Sequence, residues 1–343
     1  MGADASMAQK TRSRICERTR ARRPTVLASE PPTRASGRAS AALRWSLASL
    51  LLPLFFAASP AAGAWGAEVI HREQSLYQTI LVVRRGDLLC LQFSTRQERR
   101  NQSCRDETDP SRLVFGYTRM MLAALLLNPE PERIFMAGLG GGSLVVALTD
   151  LLPEATIDVV EIDPAVVDVA RRFFEFEPGS RTRVIVRDAR VFAKRALREG
   201  ASYDLILLDA YGGDYIPEHL MTAEFLEEVG ELLAPGGVVV ANTFAHSQLY
   251  DHESVTYRQV FGPFYNLKRN DSDNRIVLAM NDSLPPKELL TSNANRWRGA
   301  MRPLGVPVAS YPRALTTRID WDRDKRALTD QYSPANLLRE RPR

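Results

Sequence analysis

From Arg133 onward the chain repeats one unit: a short apolar run, a turn, then a stretch with apolar residues at helical spacing. The spacing predicts strands over Ile134–Ala137, Thr156–Glu161, Arg183–Arg187, Tyr203–Asp209 and Gly237–Phe244. Helices are predicted behind them over Ser143–Leu152, Ala165–Phe174, Ala189–Glu199, Ala223–Leu233 and Glu253–Phe261. Runs such as DLILLD and VVVAN are apolar at successive positions, as strands covered on both faces require. Two last strands, Tyr265–Arg269 and Arg275–Met280, have only the polar residues 270–274 between them. That spacing fits an antiparallel hairpin. The pattern predicts a doubly wound, mostly parallel α/β sheet that ends in an antiparallel hairpin.

Upstream, Tyr77–Val83 and Leu88–Phe93 read as strands joined by a turn at Arg84–Asp87. Leu113–Leu127 reads as a helix entering the larger domain. The expected organisation is a leader (1–67), a small N-terminal β-domain (68–110), the α/β domain (111–282), and a C-terminal helix with a docking tail (283–343).

The leader separates net charge from function. The chain carries 45 Lys/Arg against 41 Asp/Glu, a formal +4. Residues 1–44 hold ten of the basic residues and three of the acids, which leaves 35 basic and 38 acidic residues in the rest. The folded part is mildly acidic, which excludes nucleic-acid binding through bulk charge. After the basic flank comes an uncharged run from Trp45 to Ala67, with an apolar centre at Leu47–Ala58 and small residues at Ala61–Ala64. Basic, apolar and small-residue regions in that order predict a secretory signal cut after Ala64. An uncleaved anchor stays open, and it would be the sole membrane contact. Both readings place the folded part outside the cytoplasm. The competing reading is a mis-assigned start in front of a cytoplasmic protein. Cys90 and Cys104 would be free to pair after export, or stay unpaired. The four histidines (71, 219, 246, 252) show no ligand spacing, so no metal is expected.

Three strand ends carry the chemistry. The first predicted strand of the α/β domain runs into Gly138-Leu-Gly-Gly-Gly-Ser143 and then a helix. Gly138, Gly140 and Gly142 permit a tight turn and close approach to a ligand, and the helix start offers unpaired N–H groups. The alternative is a glycine-rich turn with no ligand. Glu161 ends the next strand, where a carboxylate accepts from both ribose hydroxyls. Asp163 is placed to cap the helix beginning at Pro164. Asp188 ends the third strand, placed to accept from an adenine amino group or to cap a helix. Together these features favour an S-adenosyl ligand over a dinucleotide, and a Rossmann-like sheet of the class I methyltransferase type. The fourth strand ends in Asp209-Ala-Tyr-Gly-Gly-Asp-Tyr-Ile-Pro-Glu-His-Leu220. Asp209, Tyr211, Asp214 and Tyr215 are the acids and aromatics nearest a reactive sulfonium there.

These residues resemble the spermidine synthase (polyamine aminopropyltransferase) family. The likeness runs from about Ser75 to Asp282, with an echo at Leu328-Thr-Asp-Gln-Tyr-Ser-Pro334. It rests on Tyr77-Gln78, Gln102, the GLGGGS loop, the VEID stretch, Asp188 and Asp209. The resemblance implies that Gln78, Glu161 and Asp188 contact the nucleoside donor and that Gln102 lines the substrate cleft. Tyr117 stands where the family has a tyrosine before a substrate-site residue, and Tyr211 is grouped with the substrate side. The implied co-substrate is S-adenosylmethionine or its decarboxylated form, the implied acceptor is a polyamine, and a homodimer stays open.

Two departures accompany the likeness. The family carries D-S-S-D-P after its fourth strand, with the second Asp as base; here Gly212 occupies that position. The family's D-E-x-x-Y box reads Asp106-Glu107 followed by Pro110 in place of the tyrosine. Asp209 and Asp214 are then the candidate catalytic acids, since an alkylamine must lose a proton before it attacks. The leading expectation is an aminopropyl-type transferase. A methyltransferase on another acceptor, and an inactive nucleoside- or polyamine-binding protein, are the alternatives.

Overall fold

The computed structural model describes residues 66–94, 99–210, 216–270 and 272–334. The predicted leader and signal segment lie outside the described residues up to Trp65. Four strands open the fold: β1 (Glu68–Gln74), β2 (Thr79–Arg85), β3 (Leu88–Ser94) and β4 (Arg99–Asp106). They form an antiparallel sheet in sequential order. A two-residue turn joins β2 to β3, with Gly86 at φ 59°. Cys90 and Cys104 face each other across β3 and β4 and are joined by a disulfide. β4 falls at the end of a stretch, 68–103, whose alternation reads as strands, but RRNQSCRD has no apolar face to set its bounds.

Two short helices follow, α1 (Gly116–Met121) and α2 (Ala124–Leu127), where one longer helix was expected. The α/β units are β5 (Arg133–Ala137), α3 (Ser143–Leu151), β6 (Thr156–Glu161), α4 (Pro164–Phe173), β7 (Thr182–Val186), α5 (Ala189–Arg198), β8 (Tyr203–Leu208), α6 (Ala223–Glu231), β9 (Leu233–Phe244) and α7 (Tyr250–Phe261). β10 (Tyr265–Lys268) and β11 (Asn274–Ala279) complete a seven-stranded sheet, and α8 (Lys287–Met301) covers it. The strand order is β10-β11-β9-β8-β5-β6-β7. β7, β6, β5, β8 and β9 run parallel. β11 pairs antiparallel with β9 and β10 antiparallel with β11, which is the expected hairpin. The sheet is Rossmann-like.

The period of two is visible in how the strands are buried. Ile134 and Met136 of β5 pack on one face with α2, α3 and α8. Phe135 and Ala137 pack on the other with α5, α6 and α7. α4 meets the small sheet, where Val166, Val169 and Phe174 cover Ile80, Val82, Leu89 and Leu91. Burying a Val, Leu, Ile or Phe side chain contributes about 1.5–3 kcal/mol, so these layers dominate stability. Connections reverse direction between β5 and β8, which opens a crevice at the strand carboxyl ends.

A buried polar cluster braces the β9–β11 side. The Arg275 guanidinium, fully buried, donates to Glu253 (2.9 Å), Ser254 (2.6 Å) and Thr243 (2.8 Å) and stacks on Tyr250. Burial pushes Glu253 up to about 7 despite its arginine partner. The last described segment, from Thr316, straps back over α6 and α7. Leu328 accepts from Ala223 N–H and donates to Thr256 Oγ1. Asp330 binds Arg190 through both oxygens (2.5 and 2.8 Å) and accepts from Thr222 Oγ1. No helix among the described residues is long and apolar enough to cross a membrane.

Candidate active site

A cleft of about 420 Å³ lies over the carboxyl ends of β5, β6, β7 and β8, with β4 and α1 as its other wall. Its lining brings together residues from across the chain: Gln78, Gln102, Tyr117, Gly138, Gly140, Glu161, Asp188 and Asp209. The glycine loop is shaped by what it must approach. Gly138 has φ +97°, and a β-carbon there would stand 2.3 Å from the Asp209 carbonyl oxygen. Only glycine lets the β5 and β8 ends come so close. Gly142 differs from the expectation. It caps α3 at φ 82° outside the cleft lining, and a β-carbon on it would meet Phe176 at 2.5 Å. The positive φ and the close packing of Phe176 each call for a glycine there.

Glu161 is fixed by the loop itself. Its carboxylate accepts from Leu139 N–H and Asp163 N–H, both at 3.0 Å. Burial raises its pKa, and the two N–H donors oppose that rise. Asp163 caps α4 by accepting from Ala165 N–H. Asp188 takes the capping duty open in the sequence and also stands in the cleft wall. It caps α5 through Oδ1, which accepts from Val191 N–H at 2.9 Å, and it lines the cleft. Its Oδ2 lies 2.7 Å from His219 Nε2, and that hydrogen bond holds the carboxyl below the ordinary aspartate value.

Asp209 stands just past the end of β8. Asn242, at the end region of β9, donates to its Oδ1 at 2.9 Å, and Tyr117 also hydrogen-bonds to the carboxylate. Burial outweighs both donors and pushes Asp209 up to about 7. A carboxyl near neutrality can take a proton at physiological pH and release it again. The Tyr117 hydroxyl also donates to the Gln102 carbonyl at 3.2 Å, and burial drives its pKa well above 10. Tyr117 therefore stays a neutral donor.

Tyr211, Gly212, Asp214 and Tyr215 lie outside the described residues. Sequence reasoning missed His219 and Asn242. His219 follows the fourth strand within the quoted loop stretch, and Asn242 is the polar residue at the end of the VVVAN run, so position at a strand end was the available signal. Among the described residues no group of three His, Cys, Asp or Glu is placed to hold a metal.

A doubly wound sheet with its cleft at the switch point and acids on three successive strand ends defines a Rossmann-like, methyltransferase-type fold. Residues 114–266 match the Spermine/spermidine synthase domain family. The chain is 52% identical over 274 residues to a polyamine aminopropyltransferase of Vibrio vulnificus, covering 79% of this chain and 91% of that protein. It is 34% identical over 202 residues to the polyamine aminopropyltransferase of Chromobacterium violaceum, covering 58% and 76%. The chain belongs to the polyamine aminopropyltransferase (spermidine synthase) family. Among solved structures, a probable spermidine synthase from Corynebacterium glutamicum shares the fold at TM-score 0.56 and 22% identity, covering 76% of this chain and 99% of that one. Human methyltransferase-like protein 13, solved with SAH, aligns at TM-score 0.51 and 25% identity, covering 55% and 93%.

Proposed function

We propose that the protein transfers an aminopropyl group from decarboxylated S-adenosylmethionine to a small alkylamine, a polyamine, with Asp209 as proton acceptor. One observation carries this reading. Glu161, Asp188 and Asp209 line a single cleft from the ends of three strands beside the glycine loop. Glu161 would accept from the ribose hydroxyls and Asp188 from the adenine amino group. Asp209 would face the reacting carbon. The amine nitrogen forms a bond to the carbon beside the sulfonium, the carbon–sulfur bond breaks with its electron pair going to sulfur, and the amine proton passes to Asp209. Methylthioadenosine leaves. Positioning two reactants in one cleft supplies much of the remaining rate.

Gly212 favours keeping a second reading, in which S-adenosylmethionine is bound and the acceptor is different or absent. A missing base costs roughly 10²–10⁴-fold. If Asp209 serves instead, Gly212→Asp should change the rate little; if it does not, that substitution should raise turnover. The deciding experiment incubates the purified protein with putrescine and either donor and identifies products by mass spectrometry. Methylthioadenosine with spermidine supports aminopropyl transfer. Release of S-adenosylhomocysteine with a methylated acceptor would replace it with methyl transfer.

A further inference from the structure

Asn242 meets Asp209 with one end of its amide, and the other end is held as well. Its Nδ2 donates to Asp209 Oδ1 at 2.9 Å, and its Oδ1 accepts from Asn274 Nδ2 at 2.9 Å. Asn274 Oδ1 in turn accepts from the Ser272 hydroxyl at 3.2 Å. The Asn274 backbone N–H donates back to that hydroxyl oxygen, also at 3.2 Å. Sheet register brings the two amides together. Asn242 of β9 pairs with Ile276 of β11, and Asn274 pairs with Phe244. Asn242 and Asn274 are therefore diagonal neighbours on one face, within reach of each other's side chains. Arg275 and Thr243 fall on the opposite face, where Glu253 of α7 receives the guanidinium.

The direction of the chain follows from what each group can do. A charged carboxylate only accepts, so it takes the NH2 end of Asn242. The carbonyl end of Asn242, which is buried, then requires a donor, and Asn274 supplies it. The carbonyl end of Asn274 is satisfied by Ser272 in the same way. Three donors point in one direction, from the β10–β11 hairpin to the acid.

We propose that Asn274 is a positioning residue for Asp209: by donating to Asn242 Oδ1 it locks the Asn242 amide with its NH2 toward the carboxylate, which favours the charged, proton-accepting form. The proposal rests on the reading of Asp209 as the base. The opposite orientation shows what the lock prevents. A protonated Asp209 carries an O–H that needs an acceptor. A reversed Asn242 would offer its carbonyl, and that hydrogen bond would stabilise the neutral acid. Reversal sets the Asn242 NH2 against the Asn274 NH2, so the neutral acid is denied this partner. Asn274 itself does not line the cleft and acts only through Asn242. The titratable and charged groups sharing the cleft with Asp209 are Tyr77, Tyr117, Glu161, Arg187, Asp188 and His219. Behind the sheet lie Glu253, Tyr257 and Arg275. Substitution of Asn274 leaves all of them in place.

The test is the pH profile of kcat/KM for methylthioadenosine release in wild type and Asn274→Leu, which keeps side-chain shape without donor or charge. The slope due to the acceptor amine cancels in the ratio of the two. The Asp209 midpoint should rise by about one unit. From a wild-type value of about 7, the wild-type-to-variant ratio should be about tenfold at pH 6, about fivefold at pH 7 and close to one at pH 9. Asn242→Leu removes the amide through which Asn274 acts, so adding Asn274→Leu there should move the midpoint no further. Asn274→Ala removes the same donor without apolar bulk and carries the test if the leucine variant does not fold. Carbon-13 NMR of the Asp209 carboxyl, assigned by its loss in Asp209→Asn, reads the same midpoint without turnover. A ratio that stays constant with pH, which a merely structural role would give, overturns the proposal. An equal midpoint shift with and without Asn242 overturns it too. Wild type that releases no methylthioadenosine overturns the transfer reading, while the NMR midpoint still decides whether Asn274 sets the charge of Asp209.

Discussion

The charge state of Asp209 is the property that the proposed chemistry depends on, and it can be read in a rate. Its pKa of about 7 means that about one carboxyl in eleven is charged at pH 6 and about ten in eleven at pH 8. If the charged form accepts the proton, kcat/KM should rise about tenfold over that interval through this group alone. The acceptor amine, with a pKa of about 10.4, adds a slope of its own. That slope is common to wild type and Asp209→Asn, so the ratio of the two isolates Asp209. The ratio should climb about tenfold from pH 6 to pH 8. Tyr117→Phe should displace the climb to higher pH, because the tyrosine donor favours the charged carboxylate and its loss raises the pKa. The assay is release of methylthioadenosine at subsaturating amine. A wild-type-to-variant ratio flat across the interval would refute the assignment of Asp209 as base. Stability gives an independent reading of the same shift. Between 3.8 and about 7 the folded protein holds a proton that the unfolded chain has released, so stability falls as pH rises through that window. The full shift corresponds to ~4 kcal/mol, and screening by water in the open cleft reduces it to about 2 kcal/mol. Asp209→Asn should therefore raise the melting temperature at pH 8 and leave it nearly unchanged at pH 4.

Three further outcomes are expected. Glu161→Ala should weaken methylthioadenosine binding at least about tenfold in calorimetry with the circular dichroism spectrum retained, because two charge-assisted bonds of roughly 1.5–3 kcal/mol each are removed. Gly138→Ala should lower the melting temperature sharply, since its new methyl meets the Asp209 backbone at 2.3 Å and neither chain can yield; a stable variant would mean the β5 and β8 ends are less closely apposed. Asp330→Ala should cost about 1–2 kcal/mol in denaturant unfolding, because Arg190 keeps Glu228 but loses its second carboxylate.

What the sequence disclosed follows from which forces are local. β8 and β9 could be read because LILL and VVVA are apolar at every position, whereas a strand with one face in water would alternate with polar residues. Glu161 and Asp188 could be placed because a strand end followed by a helix start fixes where a side chain stands. The bounds of β4 escaped because its pairing with β3, not an apolar pattern of its own, marks them. The packing of Gly142 against Phe176, far along the chain, was not legible from the loop itself. His219 and Asn242 acquire meaning only from tertiary approach, one to Asp188 and the other to Asp209. The predicted helix from Leu113 to Leu127 divides because Met120 and Ala123 close a tighter turn between its halves.

The strap that begins at Thr316 has a consequence for the order in which the molecule comes into being. A ribosome delivers every strand of the large sheet, through β11, before it delivers Asp330. Until then Arg190, two residues past the Asp188 cap, has Glu228 but not the partner that grips its guanidinium from the other side. The same Arg190 holds the carbonyl of His219. The Asp188 end of the cleft is thus the part of the fold that waits for late-made chain. A nascent protein can bury its apolar layers first and assemble its binding edge afterwards, so a truncated product would be expected to fold before it could recognise a ligand.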